Sequence, residues 1–226
     1  MIILALDSAT GACSVALAED GRVLASRSAA AERGQAEILM PMVEAVMAEA
    51  GLRFADIARF AVTVGPGSFT GLRIGLAAAR GMALASGRPL IGVTTLEAFA
   101  HSVPAAERAG RHLLVAVDSR RAEPYVQVFG PDLAPLAGPV AMAPGVLPQG
   151  LPEGMLPPGP LLVTGDAAAL VAPALRDRPG TAFAAAAAPD AAAVAGLAAG
   201  RPVPAMPPGP LYLRAPDVTL PGGRPR

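Results

Sequence analysis

The sequence predicts an α/β protein built by duplication, and three observations carry this. Short apolar strand runs alternate with stretches of helical spacing, a strand–Asp–turn–strand unit recurs after 111 residues, and Gly- and Pro-rich turns separate the elements. At 226 residues the chain is long enough for one large or two small domains.

The runs at residues 2–6 and 14–17 flank a turn-rich stretch and read as a hairpin, and Asp20-Gly21 is a strong turn signal that adds a third strand at 22–25. From Ala36, Ile38, Leu39, Met42, Val43, Val46, Met47 and Ala50 recur at helical spacing up to Gly51, a C-terminal capping glycine, with Pro41 tolerated only near the helix start. Residues 60–64 read as a buried strand, 65–70 as a glycine turn, 71–85 as a second helix and 91–93 as the next strand. Thr94 and Glu97 form a capping box that opens a third helix over 96–102. After a polar link at 105–111 the N-terminal pattern returns. Leu4-Ala5-Leu6-Asp7-Ser8 matches Val115-Ala116-Val117-Asp118-Ser119, and Val15 and Leu17 match Val126 and Val128. Residues 130–160 are so rich in Pro and Gly that they read as loop, followed by a strand at 161–164, an Ala-rich helix from Asp190 to Ala199 and a last short strand at 211–214.

Composition closes several functional classes. Lys plus Arg and Asp plus Glu are 18 each, so no long-range field favours nucleic acid or an anionic membrane. The chain has no Lys, which removes Walker-type phosphate loops, Schiff-base chemistry and a lysine base. Asn and Trp are also missing; with abundant Ala, Gly, Pro and Arg this reads as coding bias, not helix design. Cys13 is the only cysteine, and His101 and His112 do not share a helix face, so the reading is no metal site. No basic leader precedes Asp7 and no apolar run spans a bilayer, which predicts a cytoplasmic protein without membrane contact.

Two segments carry the chemistry. In Gly65-Pro66-Gly67-Ser68-Phe69-Thr70-Gly71, a strand meets a helix where free N–H groups can hold a phosphate, so Gly65, Gly67, Ser68 and Thr70 are candidate phosphate contacts. The alternative is a plain tight turn with Ser68 or Thr70 as N-cap. Thr70 stands where the dinucleotide fingerprint needs a third small residue, and Pro66 rules out a nucleophile elbow at Ser68. Asp7, Ser8 and Thr10 in the first hairpin turn could position Mg²⁺ and phosphate as in actin-like ATPases, with Asp118 and Ser119 as counterparts; ordinary turn chemistry explains them equally well. Arg120, Arg121 and Glu123 read either as an anion site or as a solvated turn. Apolar residues outside the main seam of the first helix, Met40 and Ala45 among them, leave more apolar surface than one sheet buries.

Residues 4–17 (LALDSATGACSVAL), 65–75 (GPGSFTGLRIG), 91–99 (IGVTTLEAF) and 210–214 (PLYLR) resemble the TsaB family, also called YeaZ. The resemblance implies a duplicated actin-like, ribonuclease-H-like fold, with a complete N-terminal lobe over 1–105 and a shortened C-terminal lobe over 106–226. It implies a part in making threonylcarbamoyladenosine on transfer RNA, beside the transferase TsaD and the ATPase TsaE, from an adenylate made by TsaC. The metal-binding HxxxH of TsaD falls on Thr95 and Phe99 here, so the resemblance implies a scaffold or activator with no catalytic residue, no metal and no cofactor of its own. ATP and Mg²⁺ would be engaged only in the complex, and transfer RNA only indirectly. The implied interface with TsaD, or with a second copy, is a bundle through the first two helices: Ile38, Leu39, Met42, Val43, Val46, Leu72, Arg73, Ile74, Leu76 and Arg80. Two positions depart from the family pattern: Gln35 stands for a His, and Ala122-Glu123-Pro124 replaces Gly-Glu-Val, which predicts a bent or edge hairpin. The competing reading is an actin-like-fold ATPase or small-molecule kinase using Asp7 and the turn at 65–70.

Overall fold

The computed structural model describes residues 1–147, 151, 155–184 and 188–214. In the first half, β1 (Ile2–Asp7), β2 (Ala12–Glu19) and β3 (Arg22–Ala30) form an antiparallel meander, and β4 (Arg59–Thr63) and β5 (Leu90–Val93) continue the sheet in parallel. The strand order is β3-β2-β1-β4-β5. Three helices, α1 (Gln35–Ala50), α2 (Phe69–Ser86) and α3 (Thr95–Ser102), follow β3, β4 and β5. The short α4 (Ala105–Arg108) lies in the predicted polar link.

The second half repeats this plan. Its strands are β6 (His112–Val117), β7 (Tyr125–Phe129), β8 (Val140–Ala141), β9 (Leu161–Thr164) and β10 (Thr181–Phe183), in the order β8-β7-β6-β9-β10 with the same parallel and antiparallel pairings. Helices α5 (Ala168–Leu175) and α6 (Ala191–Ala199) follow β9 and β10, as α2 and α3 follow β4 and β5. Among the described residues only a 3-10 turn (Pro144–Val146) stands between β8 and β9, where α1 stands in the first lobe, so the second lobe is shortened in α-helices while keeping five strands. The stretch expected as loop is therefore only partly loop: it supplies β8, and Leu147, Leu151 and Met155 pack into the second core where a helix would lie. Part of that stretch, residues 148–150 and 152–154, lies outside the described residues.

Strand alternation decides the layers. In β1, Leu4 and Leu6 point to the face covered by α1 and α2, while Ile3 and Ala5 point to the other face. That second face is lined by Ala5, Ala16, Ala18 and Ala61, and it is covered by Ala191, Val194, Ala195 and Ala198 of α6. Alanine on both sides lets helix and sheet approach closely, so part of the alanine content is packing design after all. The cover is exchanged between lobes: α6 of the second half sits on the first sheet, and α3 of the first half packs Leu96, Phe99, Ala100 and Val103 on β6 and β7. Arg59 on β4 fixes α6 by donating to the carbonyls of Ala198 and Arg201, both at 2.8 Å. Arg201 in turn donates to Gly92 O and to Glu97 at the start of α3.

Local expectations at the caps hold. Ser68 caps α2 by accepting from Gly71 N, and Thr94 and Glu97 close the reciprocal box on α3. Residues 211–214 do not form a strand. Leu211 makes one bond, from its N–H to Val64 O at 2.6 Å, in a segment that crosses the end of β4 as a strap. Nor is the second hairpin at an edge, since β7 lies between β6 and β8 and Pro124 precedes its first residue, where no ladder N–H is required. Among the described residues no helix is long and apolar enough to cross a membrane.

Candidate functional site

The structure brings the two predicted loops together by packing one against the other. A Cβ on Gly71 would lie 2.0 Å from Ser8 O, and one on Gly67 would lie 2.2 Å from Ala9 O. Only glycine at both positions allows the N-terminus of α2 to rest on the first hairpin turn. The polar groups are consumed in that contact. Ser8 Oγ donates to Gly71 O at 2.9 Å, Ser68 N donates to Ala9 O at 2.7 Å, and Gly71 N donates to Ser68 Oγ. From the other side Gln35 Nε2 donates to Thr10 O at 2.7 Å and approaches Ser8 O and Ala12 O. Of the residues read as phosphate contacts, Ser8 and Ser68 are engaged inside the fold: the Ser8 hydroxyl and the Ser68 and Gly71 N–H groups have internal partners, while Thr70 is exposed.

Asp7 lies at the end of β1, level with Thr63 at the end of the parallel β4, and is fully buried. Its Oδ1 accepts from Thr63 Oγ1 at 2.6 Å and from Ala9 N at 3.2 Å, while Oδ2 has no partner. Burial pushes its pKa up to about 7, against the lowering pull of those two bonds, and the nearby Asp166 and Asp190 push the same way. The Cys13 thiol is pushed up to about 11, by burial first and then by Asp7. The sequence singled out Asp7 but missed Thr63, because the register that sets the ends of β1 and β4 level is fixed by the parallel pairing of segments far apart in the chain.

A separate cleft of about 520 Å³ lies between the lobes. Of the residues singled out in the sequence, Thr10, Asp118 and Arg120 line it, with Ser14 and Ser28 beside Thr10 and Asp166 beside Asp118. Asp118 is the repeat counterpart of Asp7 but is spent locally: it accepts from Arg120 N and forms an ion pair with that guanidinium at 3.7 Å. Among the described residues no three His, Cys, Asp or Glu side chains gather as a metal cluster. Thr95 and Phe99, the positions of the TsaD metal ligands in the resemblance, are fully buried on α3.

The residues read as a helix interface divide by burial. Leu39, Val43, Val46, Leu72 and Leu76 are buried in the chain's own core, because they form the sheet-facing stripe. Ile38, Met42, Ile74, Ala78 and Met82 are only partly covered, and Met40 is exposed. Arg73 and Arg80 hold the strap instead. Arg80 donates to Pro208 O at 2.6 Å, and Arg73 donates to Tyr212 Oη and lies 3.6 Å from the centre of the Phe69 ring, which packs against Tyr212. Arg214 at the end of the strap pairs with Glu123 in the second hairpin turn.

Two sheets of like strand order, with Asp7 closing the first strand of one and Asp118 directly following the first strand of the other, define the two-lobed actin-like ATPase fold. The activator of 2-hydroxyisocaproyl-CoA dehydratase from Clostridium difficile shares it, with a TM-score of 0.52 at 12% identity over 88% of this chain and 94% of that one. A Pseudomonas aeruginosa protein described as similar to peptidase YeaZ superposes with a TM-score of 0.81 at 28% identity, covering 94% of this chain and 99% of that one. Residues 27–154, more than half of the chain, match the family described as TsaD, tRNA N6-adenosine threonylcarbamoyltransferase. The Escherichia coli tRNA threonylcarbamoyladenosine biosynthesis protein TsaB is 43% identical over 125 residues, 55% of this chain; the match spans about half of that relative, 53%. The chain belongs to this family, on its TsaB (YeaZ) side.

Proposed function

We propose that the protein is a non-catalytic scaffold or activator subunit in threonylcarbamoyladenosine biosynthesis on transfer RNA, acting by binding TsaD. The observation that carries this reading is the partly covered apolar seam of α1 and α2, inside the segment matching the TsaD family, next to a hairpin turn packed shut. Ile38, Met42, Ile74 and Ala78 would meet the equivalent helices of TsaD, or of a second copy when TsaD is absent. TsaE joins the larger assembly, ATP and Mg²⁺ are engaged only there, transfer RNA is reached through the partner, and the setting is the cytoplasm. In the test, TsaD and TsaE are supplied with transfer RNA, the threonylcarbamoyl adenylate and this chain. Modified nucleoside is expected only with the chain present, and Met42→Asp combined with Ala78→Asp is expected to abolish TsaD binding while the melting temperature stays within a few degrees. Full modification without the chain, or undiminished binding by the double variant, rejects the proposal.

The interlobe cleft favours one second reading, an actin-like-fold ATPase or small-molecule kinase. Calorimetry of the isolated chain with Mg-ATP separates the two: the scaffold reading expects no saturable heat, and tight binding with turnover would establish the enzyme.

A further inference from the structure

The C-terminal half of α2, the start of β5 and residues 203–207 enclose an apolar groove of about 700 Å³. Its walls include Leu84, Leu90, Val203 and Met206. Leu84 is 85% exposed, Met206 78% and Val203 55%, a grouping of apolar surface that isolated exposed residues do not explain. The groove is distinct from the α1–α2 seam. At 100° per residue, Phe69, Arg73, Arg80, Leu84 and Gly87 share the flank of α2 under the strap, whereas Ile74, Ala78 and Met82 lie on the opposite flank.

Charge says what fits. The chain as a whole balances 18 acidic with 18 basic residues, yet residues 69–93 and 201–214 contain five arginines and no Asp or Glu. Among the described residues the only ionisable side chains on the groove are Arg80 and Arg88. No described carboxylate pairs with Arg73, Arg80 or Arg88; the carboxylate pairs of this region are Arg201–Glu97 and Arg214–Glu123. An apolar trough whose rim arginines, Arg80 and Arg88, meet no described carboxylate complements a segment presenting apolar side chains and carboxylates together. Nucleic acid fits less well, because the walls are aliphatic and the groove offers no aromatic platform for a base.

We infer that this groove is a second docking site, separate from the helix seam, for an amphipathic acidic segment of another protein. The probe is a labelled synthetic helical peptide with leucines on one face and glutamates beside them, titrated with the full chain and followed by fluorescence anisotropy. Saturable binding that weakens with salt is expected, together with a loss of about tenfold or more in Leu84→Glu and in Arg88→Glu. Both side chains are exposed, so circular dichroism and melting temperature should match the parent. Met42→Asp, on α1 in the helix seam, should bind the peptide like the parent. The inference is overturned by equal binding of a leucine–lysine peptide or by peptide binding that Leu84→Glu and Arg88→Glu leave unchanged. It is also overturned by an RNA oligonucleotide that displaces the peptide, or by self-association in sedimentation that Leu84→Glu dissolves, which would make a second copy the occupant.

Discussion

Gly71→Ala is expected to lower stability by at least about 3 kcal/mol, on the order of 10 °C in melting temperature for a chain of this size. The added methyl would sit 2.0 Å from Ser8 O and 2.9 Å from Gln35 Oε1, and the first of these is backbone that cannot rotate away. To relieve the contact α2 must lift from the hairpin, which breaks the Ser8–Gly71 and Ser68–Ala9 bonds together and opens the core beneath Leu72 and Leu76. Gly81 in the same helix provides the contrast. A Cβ there meets nothing within 4 Å, so Gly81→Ala should gain about 0.5–1 kcal/mol from helix propensity alone. Chemical denaturation of the three proteins checks both signs; a Gly71→Ala midpoint equal to the parent's would show that the loops do not touch as described.

The second large effect is on pH dependence and centres on Asp7. Its carboxyl is raised from 3.8 to about 7, so between these values the folded state keeps a proton that the unfolded chain releases. Stability must therefore fall as pH rises across that window, by up to about 4 kcal/mol in total, and be flat above it. Asp7→Asn removes the titration. Its amide can still accept from Thr63 and Ala9, but its N–H groups take the place of an oxygen that has no partner, at a cost of about 1–3 kcal/mol independent of pH. The stability difference between variant and parent should thus shift by about 2–3 kcal/mol in favour of Asn between pH 5 and pH 8. Parallel pH profiles would show that Asp7 is ionised within the fold.

Charge substitution on the helices must respect the same burial. A carboxylate at Leu76 would enter the core and unfold the lobe, so its effect on assembly would say nothing about a partner, whereas Met42 and Ala78 are partly open.

By itself the sequence determined the duplication, the first meander, α1, α2 and the capping box of α3, because strand alternation, helical spacing and cap chemistry are local properties written in neighbouring residues. It also marked Asp7 and the glycine turn as special, since small and acidic residues at strand ends depart from local preference. Only the tertiary structure decided what they are for. That Gly67 and Gly71 serve contact with Ser8 and Ala9 depends on two segments some sixty residues apart in sequence, and the Ser8–Gly71 bond spans 63 positions. The exchange of α3 and α6 between lobes, and the strap held by Arg73 and Arg80, rest on contacts more distant still, up to the 177 positions between Ser14 and Ala191. Local periodicity fixes which face of a helix is apolar, but what covers that face is set by where the rest of the chain can reach.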